Sequence, residues 1–466
     1  MRRTLLVGAL VLAAAVVGAL AYTAYDAERE YERLIVAGDA ASAGDQPFQA
    51  LEAYSGAIAL RPDSMLAHLR RGMIYRERGE LDAALRDLRV AADLDPSAPQ
   101  PRELLGDVNA ALERYDRAAA DYDAYIDLDD RSPAVLYKLA LARYRAADTA
   151  DAIAPLERAV ALDPAFAEAH YLLGLCRRDN GDLEQARDAL EEARRLAPAL
   201  TAPREALAEV YGRLGRSGRA IDELEALAAL DSARPGRLIA VGLAYAGAGR
   251  NDVAVLTLGR AAERFPDAPE VYAALGRVWL DSARARDDRV ALNKAIEALT
   301  AAATRSNASG ATLTDLGRAW LLAGDRAAAE RALRQAVARL PVPPDAYLEL
   351  ANVTAADGRL QDARDALLRY AALVGDSQPL AGVATRIADL SVKLGEPGRA
   401  VRWLERAVDE AGPTAVLLTR LASAALDAGD LPRARAAVAE GLAADPGSAA
   451  LRAIARRLQA AEDARR

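Results

Sequence analysis

The sequence predicts an all-α chain: a solenoid of about twelve helix–turn–helix repeats preceded by a single N-terminal transmembrane helix. Three observations carry this reading. Pro62, Pro96, Pro164, Pro198 and Pro266 are spaced by 34 residues or its double. A small residue recurs at position 8 of each 34-residue unit and alanine at position 20. An uncharged apolar run, Thr4 to Ala21, opens the chain.

Composition sets the bounds. The 466 residues are 52% hydrophobic and 27% charged, with a net charge of −8. Such a chain is globular rather than disordered. Its mild acidity argues against a nucleic-acid groove, which needs a clustered basic face. Lysine occurs only at Lys138, Lys294 and Lys393, while arginine and alanine abound, as in a GC-rich bacterial genome. A single cysteine excludes an intramolecular disulfide and a paired-cysteine zinc site. Three Phe and three Trp leave the core to Leu, Ala, Val and Tyr, which suits closely packed helices.

Residues 1–3 read as a cytoplasmic n-region, 4–22 as a transmembrane signal-anchor and 23–30 as a helical stalk. Thr4–Ala21 is 18 residues. At ~1.5 Å each it spans roughly 27 Å, near the ~30 Å hydrocarbon core. Tyr22 and Tyr25 fall where an interfacial aromatic belt would lie. Arg2 and Arg3 precede the span, which keeps the N-terminus cytoplasmic and sends the repeats outside. The alternative is a signal peptide cleaved at Ala19-Leu20-Ala21, releasing a secreted protein. The apolar run is longer than an ordinary signal h-region, which favours the anchor. No Gly/Ser/Pro linker interrupts the stalk, so anchor and first repeat should form one helix.

The repeats run 31–64, 65–98, 99–132, 133–166, 167–200, 201–234, 235–268, 269–309, 310–343, 344–377, 381–414 and 415–448. Position 8 carries Gly72, Gly174, Gly242 and Gly317, with Gly38, Gly106, Ala140 and Ala208 between them. Position 20 carries Ala84, Ala186, Ala254 and Ala329. Position 24 carries a large residue, as in Tyr54, Leu88, Tyr122, Leu156 and Leu190. Positions 4, 7, 8 and 11 share one face of a first helix, and 20, 24 and 27 one face of a second. A small residue at 8 facing alanine at 20 would let the two backbones approach. Glycine at position 15 (Gly79, Gly181, Gly215, Gly249, Gly324, Gly358, Gly429) should end the first helix. Proline at 32 should stop the second.

Two interruptions break the register. Seven extra residues fall within DSARARDDRV, in repeat 269–309, and should form an exposed loop or helix extension at 281–290. Three more fall at Gln378–Leu380. Residues 449–466 read as a capping helix and tail, polar through Arg452, Arg456 and Arg457, as a solenoid end requires.

These units resemble the tetratricopeptide repeat family, whose pattern is Leu at 7, Gly at 8, Tyr at 11, Ala at 20 and 27, and Pro at 32. Repeat 65–98 carries Gly72, Tyr75, Ala84, Ala91 and Pro96; repeat 310–343 carries Leu316, Gly317, Trp320, Ala329, Ala336 and Pro341. Pro198 and Pro266 hold the same place in theirs. The resemblance implies a right-handed solenoid that binds peptides or proteins along its concave face. It implies no cofactor, metal or enzymatic activity.

The chain's own residues point the same way. His170 and Cys176 are six apart on a helix, hence on different faces, and cannot form a nucleophile–base pair. His68 lies three repeats earlier. All three read as packing residues. DYDAYIDLDD at 121–130 has Ile126 and Ser132 where a calcium loop needs Gly and Glu.

By the resemblance, helix A positions 2, 5, 9, 12 and 13 line the concave face. The Lys-5/Asn-9 pair of the family's carboxylate clamp is missing in every repeat, so a chaperone adaptor is disfavoured. Tyr137, Leu141 and Tyr144 occupy positions 5, 9 and 12, and Tyr171, Leu175 and Arg178 repeat them. Spacings of four and three stack each set into a stripe. Glu103 and Asp107 lie before it, Glu205 and Glu209 after. An apolar strip rimmed by carboxylates would suit a peptide with basic flanks. The competing reading is that these side chains merely pack against neighbouring helices. The function expected is a membrane-anchored, non-enzymatic scaffold in a bacterial envelope assembly, such as polysaccharide export, secretion, pilus or cell-wall machinery. The alternatives are a self-assembling structural protein and a secreted soluble adaptor. The sequence leaves the oligomeric state and the partner's identity open.

Overall fold

The computed structural model describes residues 2–304, 308–375 and 377–464, with side chains over the same ranges except 2–15 and 18. Its regular structure is entirely helical: 25 helices, and no strand among the described residues. The chain divides into two compact halves, Met1–Leu230 and Asp231–Arg466.

The first helix runs unbroken from Arg2 to Ala43, so stalk and first repeat share one rod. The span 4–22 falls mostly on residues whose side chains lie outside those described. Among the described residues no helix is long and apolar enough to cross a membrane. The structure therefore gives no support to the expected transmembrane helix. Arg61 ties the stalk to the repeats: it pairs with Glu28 and lies 4.3 Å from the Tyr31 ring centroid. The Tyr31 hydroxyl in turn lies 2.6 Å from Ser64 Oγ, at the head of the second repeat.

Each repeat is an antiparallel pair of helices. In repeat 167–200 they are Ala167–Asn180 and Leu183–Leu196. Gly181 links them at φ 93°, a left-handed conformation that a side chain resists. Three repeats hold non-glycine residues at this turn: Asp45, Glu113 and Ala147, with φ between 55° and 65°. Position-34 hydroxyls cap the next repeat's first helix, as when Ser64 accepts from the Ala67 N–H and Thr414 from the Leu417 N–H. In repeat 133–166 the second helix starts only at Ile153. Pro155 has no N–H to donate and is tolerated only in a first turn.

The tight approach inside a repeat differs from the sequence expectation. A Cβ on Gly174 would lie 2.5 Å from Leu190 Cγ, and only 3.2 Å from the Ala186 carbonyl oxygen. Position 8 therefore meets the side chain at 24, and alanine 20 contributes backbone. Two helices antiparallel about the turn at 15 bring residues roughly equidistant from it together. A Cβ would likewise lie 2.5 Å from Leu258 if placed on Gly242, and 2.6 Å from Leu333 if placed on Gly317. The pairing survives the insertion, where a Cβ on Gly276 would lie 2.6 Å from Leu299. Positions 20, 24 and 27 are buried as a set in repeat after repeat, for example Ala84, Leu88 and Ala91 or Ala329, Leu333 and Ala336.

The seven-residue insertion takes the form of a helix extension. Helix Pro269–Arg286 overshoots the usual end, Asp287 turns at φ 51°, and Asp288 caps helix Arg289–Ala303. Ser282 and Ala283 of the extension are buried, while Asp281 and 284–290 are exposed. At the other end, Leu451, Ile454 and Leu458 of helix Ala449–Asp463 are buried, and Arg452, Arg456 and Arg457 face water.

Candidate partner-binding surface

Tyr137, Leu141 and Tyr144 lie on helix Pro133–Arg145; Tyr171, Leu175 and Arg178 lie on helix Ala167–Asn180. All six are half-buried. Tyr137, Leu141 and Tyr144 pack against the cluster around Leu136, Leu156 and Leu172; Tyr171 and Leu175 pack against that around Leu190 and Leu207. Packing thus takes one side of each residue and leaves the other accessible.

Two contacts flank the first stripe. The Tyr137 ring sits 5.1 Å from that of Phe166, tilted by 49°. The Tyr144 hydroxyl donates to Asp179 Oδ2 at 3.4 Å. Phe166 escaped the sequence reading because it occupies position 34, outside the concave set. Arg178, at the strip's end, pairs with Asp179 at 2.8 Å and Glu209 at 3.0 Å. Burial pushes the hydroxyls of Tyr137, Tyr144 and Tyr171 above the ordinary tyrosine range. Glu168, Asp179 and Glu205 respectively add to this, so each ring has a carboxylate nearby.

The acids that precede the strip have structural work. Asp107 accepts from the Tyr122 hydroxyl at 2.8 Å, and Lys138 bridges it to Glu103, with 2.8 Å to each. Asp39 accepts from the Tyr54 hydroxyl at 2.7 Å. On the far side lie Glu168, Asp179, Glu205 and Glu209, of which Asp179 and Glu209 are likewise paired, with Arg178.

His170 and Cys176 do not meet as reacting groups. The His170 Nε2 lies 3.1 Å from the Pro164 carbonyl oxygen, which can only accept. Cys176 is fully buried, and burial pushes its thiol up to about 12. The His68 ring spans Asp87 Oδ1 and the Pro62 carbonyl, each at 3.1 Å, and Asp87 also takes two bonds from Arg71. Among the described residues no three His, Cys, Asp or Glu side chains gather as a metal site would need.

The tetratricopeptide repeat family model matches residues 35–99, 137–200, 314–378 and 385–449, over half of the chain. The chain belongs to the tetratricopeptide repeat family. The second matched segment of this tetratricopeptide protein, 137–200, holds all six residues of the strip. Among solved structures it is similar to MamA from Desulfovibrio magneticus RS-1, at 25% identity over 36% of this chain and 96% of that one, TM-score 0.35. It is similar to YrrB, described as a TPR protein with an unusual peptide-binding site, at 21% identity over 41% and 97%, TM-score 0.38. It is also similar to yeast Tom70, at 13% identity over 79% and 96%, TM-score 0.43. A comparison with curated proteins finds no match.

Proposed function

We propose that this tetratricopeptide protein is a non-enzymatic scaffold whose strip at Tyr137, Leu141, Tyr144, Tyr171 and Leu175 holds a peptide or protein segment with basic flanks. The observation that carries this reading is the strip itself: two adjoining half-buried aromatic stripes with Glu168, Asp179, Glu205 and Glu209 close by. Tyrosines bury large areas at low entropy cost and are frequent binding hot spots. In the same reading residues 4–22 anchor the chain in a bacterial membrane, and the repeats stand outside the cytoplasm in an envelope assembly. The uncharged run Thr4–Ala21 after Arg2 and Arg3 supports that part.

Two experiments test it. A photo-crosslinker at Tyr144 in cells should capture one partner, and Tyr137→Ala with Tyr171→Ala should abolish its binding while circular dichroism stays unchanged. Equal affinity of the double variant would remove the strip from consideration. Alkaline extraction should leave the full chain in the membrane pellet, and release into the supernatant would refute the anchor.

A further inference from the structure

The two interruptions of the 34-residue register meet at one cavity. It lies in the C-terminal half and has a volume of about 440 Å³. The first interruption lengthens helix Pro269–Arg286 and thereby brings Arg284 to its wall. The second, at 378–380, brings Gln378. A repeat of regular length would end its first helix before residue 284. The insertions, far apart in sequence, thus furnish the same space.

We infer that this cavity recognises a ligand carrying two carboxylates on an apolar spacer. Arg277 and Arg284 are seven residues apart on one helix, so they share a face, ~10.5 Å apart along the axis. Arg277 gives its Nε–H to Asp315 at 3.0 Å. Its other N–H groups, and the whole exposed Arg284 guanidinium, take no partner among the described residues. The cavity's buried acid, Asp315, is held by both Arg277 and Arg318, the latter at 3.5 Å, and Arg318 also pairs with Asp345 at 2.7 Å and Glu349 at 3.0 Å. Gln378 accepts from Tyr370 at 3.5 Å, which leaves its amide N–H groups to donate.

The uncommitted groups are therefore mostly donors, and guanidinium N–H pairs match carboxylate oxygens best. Asp281 sits between the two arginines, where it repels a compact dianion and favours two separated charges. Leu280, Pro343, Pro344 and Val374 give the spacer an apolar wall. An acidic peptide segment and a free long-chain dicarboxylate share this chemistry.

The test uses the full chain in detergent and two probes titrated by calorimetry: sebacate, and an acetyl-Glu-Leu-Ala-Glu-amide peptide. Saturable binding of at least one probe is expected. Arg284→Gln and Arg277→Gln should each weaken it about fivefold or more, and Arg284→Lys should restore much of it. Salt should weaken binding. Tighter peptide binding assigns a peptide source, and tighter sebacate binding a free dicarboxylate. Tyr137→Ala with Tyr171→Ala should leave either result unchanged, which keeps this site separate from the strip. Failure of both probes to saturate by about 10 mM, or glutamine variants that bind like wild type, would overturn the inference.

Discussion

The hydroxyl of Tyr122 donates to Asp107 at 2.8 Å while its ring fills the space that a side chain at Gly106 would need. Tyr54, Asp39 and Gly38 repeat the arrangement two helices' pairs earlier, with a 2.7 Å bond. Where position 24 is leucine, position 9 follows no such rule: it is apolar in four repeats, as in Leu88 with Met73 and Leu190 with Leu175, and polar in five, as in Leu224 with Glu209 and Leu333 with Arg318. A buried phenol needs an acceptor and a buried leucine does not. Burial, then the Asp107 charge, push the Tyr122 hydroxyl far above its ordinary range.

Tyr122→Phe should destabilise the protein by about 1 kcal/mol, the net worth of one hydrogen bond. Asp107→Leu alone should cost more, because it orphans the Tyr122 hydroxyl and strips Lys138 of one partner. Tyr122→Phe combined with Asp107→Leu should cost less than the two single changes summed. Urea denaturation of the four proteins measures this, and strict additivity would refute the coupling.

Gly174 lies so close to Leu190 that an added methyl must move a fully buried side chain. Gly174→Ala should cost ~1–3 kcal/mol by overpacking. Ala186→Leu should cost a similar amount, since Ala186 is fully buried between the same helices. Hydrogen exchange should report the loss first in repeat 167–200 and its neighbours. An unchanged midpoint for both variants would contradict the packing described.

Ala147 holds φ 65° at a turn where Gly181 and others hold theirs without a side chain. Ala147→Gly should stabilise the fold by about 1 kcal/mol, by removing the clash of Cβ with backbone. Gly181→Ala should destabilise it by about 1–2 kcal/mol. Opposite shifts of the thermal midpoint are the expected result; shifts of the same sign would rule out this account.

Glu330 accepts two bonds from Arg359, at 2.8 and 2.7 Å, and one from Arg334 at 2.9 Å. These hold its carboxyl down to about 2. A depressed folded value means that its stabilisation is present above the unfolded value of about 4.3 and is lost as pH falls through about 2. Glu330→Gln should therefore be less stable than wild type at neutral pH, and the difference should close on acidification across that window. A gap that persists at pH 2 would show that charge is not its source.

Much of the architecture was legible because it is local. The helix pairs follow from apolar residues at 3.6-residue spacing, with glycine at position 15 and proline at 32 as punctuation. Gly79, Gly181 and Gly324 do adopt the left-handed turn that their position implies. The strip of Tyr137 and Tyr171 was legible as a pattern on one helix face. Its exposure was not, because half of each ring is taken by a neighbouring repeat. The ion pair of Arg178 was not legible for the same reason: its partner Glu209 lies 31 residues on.

The sequence by itself determined the repeat, its period, its helical content and the kinds of residue at each register position. Those properties depend on backbone conformation and on which side of a helix is apolar, both set within a few residues. Tertiary structure alone decided which residues touch. It turned position 8 toward 24 rather than 20, gave Asp39 and Asp107 to buried phenols, and brought Arg284 and Gln378 to one cavity. The reason is physical: contacts between helices depend on their crossing and separation, which the summed packing of many side chains fixes and no local pattern encodes.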